Sequence, residues 1–95
     1  MSIVVRFAPA SATVEQYDET IRRLNEILGD RGPDGCDYHV CFRAPDGSLR
    51  VSEIWDSEEQ FRAFGETLMP VLAEVGVDPG QPEIMEVHNI LKRPS

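Results

Sequence analysis

The chain is poor in positive charge: nine lysine and arginine residues stand against seventeen aspartate and glutamate, a formal net charge of -8 over 95 residues. The nine are scattered. Phosphate backbones and anionic lipid surfaces are held by grouped cations, so neither a nucleic acid nor a membrane surface is expected as a partner. Long apolar runs are also missing, and nothing approaches the roughly 20 residues of a membrane-spanning helix. The opening MSIVVRFAPA lacks the length and flanks of a secretory leader, which leads to the expectation of a cytoplasmic protein. Cysteine is scarce. Cys36 and Cys41 are too widely spaced for a CxxC redox pair and too few for a zinc site, so no metal is expected. Cys36 reads as a loop thiol and Cys41 as a small half-buried hydrophobe. Glycine-rich phosphate loops, HExxH helices, paired glycosidase carboxylates and a nucleophile elbow around Ser52 are absent, as are repeats and low-complexity tracts.

What is present is the composition of an ordinary globular domain, 41% apolar and 27% charged, read as one domain over residues 1–95. Ile3, Val5 and Phe7 alternate with Val4, Arg6 and Ala8 as a strand does, and Pro9 ends it. Thr13 with Gln16 three later predicts a capped helix whose apolar stripe is Val14, Tyr17, Ile21, Leu24 and Leu28, with Gly29 as its stop. DRGPDG, residues 30–35, is turn chemistry. A second strand covers Tyr38 to Arg43, and Ala44-Pro45-Asp46-Gly47 turns the chain back as a strand from Ser48 to Trp55. A three-residue loop pairs Ala44 with Ser48 and sets His39 opposite Glu53; a two-residue loop at Asp46-Gly47 would set Val40 there instead. Ser57 with Gln60 predicts a second capping box, opening a helix from Ser57 to Val75. Within it Pro70 cannot donate to Glu66, which predicts a kink or break near Leu68 to Pro70, or the first turn of a further helix. Gly76 to Pro82 is a loop, Glu83 to Leu91 the last strand and Lys92 to Ser95 a polar tail.

The order β-α-β-β-α-β predicts an α+β, ferredoxin-like two-layer sandwich: a four-stranded antiparallel sheet with both helices on one face. Every strand keeps apolar residues on both faces, which water would not tolerate on the bare side. A second copy of the chain is the economical cover, so a homodimer is expected.

With that element order and a third strand ending in EIWDS before the capped helix EEQF, the chain resembles the dimeric α/β-barrel superfamily. Within it the chain is similar to the antibiotic biosynthesis monooxygenase-like proteins. The resemblance implies no cofactor and a small aromatic or polyketide-like substrate for a monooxygenase-like enzyme. A cyclase or isomerase of similar substrates, or a non-catalytic dimeric ligand-binding protein, are the alternatives. The heme-degrading branch ligates iron through a histidine on the helix after the tryptophan strand, and Ser57 to Val75 contains none, which argues against heme.

The candidate site follows from the register. His39 and Glu53, as cross-strand neighbours, would form a carboxylate–histidine pair able to act as a general base, or else a half-exposed polar pair on a hairpin. Trp55 offers a flat surface for stacking an aromatic ligand, or for packing the core. Tyr17, Phe61 and Phe64 would wall the same cavity or fill the core. Arg43 would draw in an anionic substrate or lie in solvent. His88 and Glu86 on the last strand could converge with Arg6 of the first, as a polar cluster at a dimer seam or as a second catalytic group.

Overall fold

A computed structural model describes residues 1–92. The elements run β1 Ile3–Phe7, α1 Val14–Leu28, β2 Cys36–Arg43, β3 Leu49–Trp55, α2 Glu58–Val75 and β4 Glu83–Glu86. The four strands form one antiparallel sheet in the order β2-β3-β1-β4. This is the ferredoxin-like order expected from the sequence.

The cap of α1 forms as its chemistry dictates. Gln16 N–H donates to Thr13 Oγ1 at 3.1 Å, and the Gln16 side-chain oxygen accepts from Thr13 N–H at 3.0 Å, which satisfies two otherwise orphaned donors. At α2 only half of the box closes. Gln60 N–H donates to Ser57 Oγ at 3.2 Å, but the Gln60 side chain leans towards the loop before β2, with its Nε2 3.5 Å from Asp34 Oδ2. It occupies the space where a Cβ on Gly35 would sit.

The hairpin adopts the three-residue loop. Ala44 N–H donates to Ser48 O, Gly47 N–H donates to Ala44 O, and Gly47 takes a φ of +89°, the left-handed value that favours glycine. His39 therefore pairs with Glu53 and Cys41 with Val51. Cys36 belongs to β2 and not to the preceding loop: it pairs with Trp55 across an irregularity between Cys36 and Tyr38, and that bulge keeps both Cys36 and His39 on the helix-facing side.

Helix α2 runs unbroken through Pro70. The lost bond is tolerable because Pro70 and Glu66 are both exposed, so the Glu66 carbonyl can turn to water while buried Val71 and Leu72 hold the next turn to the core. Strand β4 is shorter than the alternation suggested, ending at Glu86, with one further bond from Val87 N–H to Ser2 O. The polar tail from Lys92 to Ser95 lies outside the described residues except for Lys92.

Ile3 and Val5 of β1, Trp55 of β3 and Phe61 of α2 form the centre of the core, with Trp55 and Val5 fully buried. The Trp55 ring meets Phe61 edge-on at 5.6 Å and Phe64 at 5.5 Å, distances at which aromatic quadrupoles attract. No helix of the described residues is long and apolar enough to cross a membrane.

Candidate functional site

The helix-facing side of β3 carries Leu49, Val51, Glu53 and Trp55 in strict alternation, which puts one carboxylate into the apolar layer. Its side chain is only 6% exposed. Charge buried there must be paired, and it is. Trp55 Nε1–H donates to Glu53 Oε1 at 3.0 Å, and His39 Nδ1 lies 2.7 Å from Glu53 Oε2. On the other side of the imidazole, His39 Nε2 lies 2.7 Å from the hydroxyl of Tyr17, whose ring stacks near the histidine with an interplanar angle of 18°. Three elements thus converge: α1 supplies Tyr17, β2 supplies His39, and β3 supplies Glu53 and Trp55. Every buried side-chain polar atom among the described residues has a partner.

A carboxylate only accepts hydrogen bonds, which assigns the imidazole proton to Nδ1. In the neutral ring Nε2 then carries the lone pair, and the Tyr17 hydroxyl donates to it. Burial, together with the charges of Cys41, Glu53 and Asp18, pushes the Tyr17 hydroxyl up from 10.0 to about 12, so it is the neutral phenol at physiological pH and keeps its proton to donate.

This chain of groups opens on a cavity of about 180 Å³ between the sheet and the two helices, partly open to solvent. Tyr17, His39 and Glu53 line it, together with Phe64, both cysteines and a wall of aliphatic side chains from α1, β3 and α2. Burial and the nearby Glu53 push the Cys36 thiol up to about 11, and burial with Asp18 raises that of Cys41. Both are therefore thiols and not thiolates at neutral pH, and they serve as lining rather than as nucleophiles. No three histidine, cysteine or carboxylate side chains converge as a metal site would need among the described residues.

Other residues singled out from the sequence lie elsewhere. Trp55 and Phe61 do not reach the cavity. They face the core beneath it, because Trp55 is drawn down by its bond to Glu53 and sealed by both phenylalanines. Arg43 is exposed beside the hairpin turn, where it donates to Gly47 O at 3.2 Å, so it draws nothing into the cavity. Arg6, Glu86 and His88 do not assemble. Arg6 pairs with Glu83, Glu86 pairs with Ile3, and His88 lies exposed beyond the end of β4. The early end of that strand is the physical reason: without ladder bonds past Val87, the alternation that would place His88 beside Glu86 does not hold.

Sequence reading gives Tyr17 as cavity wall or core filling and misses its bond to His39. The signal lay in its position, the first turn of α1 on the apolar stripe. The depth to which that turn reaches over β2 depends on tertiary packing. Cys36 was missed as a lining residue because the bulge that turns it inward leaves no mark on the hydrophobic pattern.

No family model matches the chain and no curated protein matches it by sequence. Its fold is shared with solved structures. SnoaB from Streptomyces nogalater, described as a cofactor-independent oxygenase, aligns with a TM-score of 0.61 at 15% identity, over 97% of this chain and 96% of that one. A protein from Deinococcus radiodurans provisionally named an antibiotic biosynthesis monooxygenase aligns with a TM-score of 0.59 at 16% identity over 100% of both chains. A provisionally named monooxygenase from Shewanella loihica gives a TM-score of 0.59 at 18% identity, over 94% of this chain and 95% of that one. The fold of the antibiotic biosynthesis monooxygenase-type structures is therefore the fold of this chain, as the resemblance in sequence implied. At these identities the likeness concerns the fold alone.

Proposed function

We propose that the chain is a monooxygenase-like enzyme that oxidises a small hydroxyaromatic compound with molecular oxygen and no cofactor, working as a homodimer. The observation that carries this reading is the hydrogen-bonded series Tyr17–His39–Glu53 at the wall of an apolar cavity. A phenol becomes a good reductant of oxygen only when its proton is removed, and that needs one base and a dry surrounding. His39 is the base. Glu53 fixes its tautomer and stabilises the imidazolium that forms, while Tyr17 stands between base and cavity and hands protons across: it gives its own to Nε2 as it takes the substrate's. The Tyr17 hydroxyl resists becoming a standing anion, which favours a concerted hand-over of this kind. The resulting phenolate reduces oxygen. In the overall balance a phenol and one O2 give a quinone and one water: the ring gains one oxygen atom and loses two hydrogens, and the second oxygen atom leaves in the water. The names carried by structures of this fold agree with this reading.

Oxygen uptake tests it. A hydroxyaromatic substrate should be consumed with one O2 per quinone formed, and His39→Ala should lower the rate at least about 100-fold, the span that a general base supplies. Equal rates in the two proteins would remove His39 from the chemistry. Turnover without oxygen uptake would favour a cyclase or isomerase using the same base.

A further inference from the structure

We infer that the ligand of this cavity is a neutral phenol of one or two fused rings, held by a single hydroxyl that donates its hydrogen bond to Tyr17, and not a larger polycycle or an anion. The inference rests on reading this cavity as the substrate site, and three independent features carry it.

The first is size. The cavity measures about 180 Å³. An engineered apolar cavity of about 150 Å³ in another protein takes up benzene, and protein interiors are filled to about three quarters of their volume, so the space here suits one substituted ring or two fused rings. A linear three-ring compound would leave a ring outside the mouth.

The second is charge. Among the described residues no lysine or arginine lines the cavity, and the one carboxylate lining it, Glu53, has both oxygens engaged with Trp55 and His39. Arg43 lies outside, and Arg23, on the helix that roofs the cavity, is held by Glu19 and Glu74. An anionic ligand would meet a buried negative charge with no compensating cation, in a protein whose net charge of -8 already repels it.

The third is direction. Glu53 can only accept, so with the imidazole neutral each hydrogen bond in the series points towards it: His39 donates to Glu53, and Tyr17 donates to His39. What Tyr17 has left for the cavity is acceptor capacity on its oxygen. Of the other polar lining side chains, Thr20 already donates its hydroxyl proton to Gln16 O at 2.8 Å, and Asn25 is an exposed residue of α1, away from the Tyr17–His39–Glu53 series. A ligand group that meets Tyr17 is therefore a donor. A hydroxyl fits, and an ether or an unprotonated carbonyl leaves two acceptors facing one another.

Titration calorimetry of the full chain under nitrogen, with defined probes, tests all three features apart from turnover. Phenol and 2-naphthol should bind. Anisole, the same ring with its hydroxyl methylated, should bind about tenfold more weakly than phenol, the ratio set by the loss of one hydrogen bond. Benzoate should show no binding, and a trihydroxylated three-ring anthracene should bind more weakly than 2-naphthol. Leu68→Phe, which fills part of the cavity, should weaken 2-naphthol more than phenol. Equal affinity for anisole and phenol, tighter binding of the three-ring probe, or binding of benzoate would each overturn the inference. Selective binding of phenol and naphthol without any oxygen uptake in air would uphold it while sinking the oxygenase reading. Uptake with the three-ring compound alone would do the opposite.

Discussion

At the scale of the residue, Glu53 is the group around which the site is ordered. It is buried, and it accepts from a tryptophan and a histidine on its two separate oxygens. Truncation to alanine would leave the buried Trp55 N–H without an acceptor and release the partly exposed His39, so Glu53→Ala should lose about 1–3 kcal/mol of stability in urea titration. Glu53→Gln is the sharper probe. The amide has one oxygen where the carboxylate has two, so with that oxygen kept for Trp55 its NH2 faces His39 Nδ1 and drives the imidazole proton to Nε2. The expected result is a 10- to 100-fold fall in turnover with substrate affinity little changed, as for other partners that fix a histidine tautomer. Tyr17 gives a pH signature. Its hydroxyl titrates near 12 when folded and at 10.0 when unfolded, so the folded state holds a proton that the unfolded state has already released. The stability tied to that proton is fully present below pH 10 and is lost as pH rises towards 12. Tyr17→Phe should abolish that part of the alkaline loss in thermal melts, though the loss due to Cys36, which moves from 9.0 to about 11, remains. Melting curves of the two proteins that stay parallel from pH 9 to 12 would place Tyr17 in solvent.

Among the elements, the hairpin was the most legible. Pro45-Asp46-Gly47 demands a proline-led turn closed by a left-handed glycine, and with that loop length every pairing from Ala44 to His39 follows, including the one that makes the site. Both helix starts were legible for a similar reason, since Thr13 and Ser57 announce local chemistry. Features that depend on distant contacts were not. The bulge at Cys36 and Tyr38, the diversion of Gln60 to Asp34 and the early end of β4 all answer to neighbours far along the chain. So does the division of labour among the aromatics: Trp55, Phe61 and Phe64 sit on the right faces, but only packing decides that Phe64 reaches the cavity and Trp55 does not. Trp55→Ala should therefore act on the core, costing about 3–5 kcal/mol, with ligand affinity falling only as far as the folded fraction does. The glycines divide in the same way. Gly65 lies within α2 with open space around its Cβ position, so Gly65→Ala should stabilise by about 0.5–1 kcal/mol. Gly35 has a φ of +90° and would set a Cβ 2.5 Å from Gln60 Cδ, so Gly35→Ala should destabilise and loosen the start of β2.

For the whole molecule, one side of the sheet is spent on the core and the cavity, while the other presents Val4, Val40, Phe42 and Ile54 with Tyr38 and Met85 more than a third exposed beside them. So much apolar surface on a small chain accounts for the expectation of a second copy as its cover. Light scattering at micromolar concentration should give the mass of two chains, and Phe42→Glu should reduce it to one; a single-chain mass for the unaltered protein would leave that face to another partner. The cavity lies on the opposite side of the sheet from that face. Only two histidines occur in the sequence, His39 and His88. Nitrogen-15 NMR of a His88→Gln protein at mildly alkaline pH would thus report the His39 ring alone. The series from Tyr17 to Glu53 predicts a neutral imidazole with its proton on Nδ1 and a bare, hydrogen-bonded Nε2. A proton found on Nε2 would reverse every hydrogen bond in the series and leave the cavity without a base.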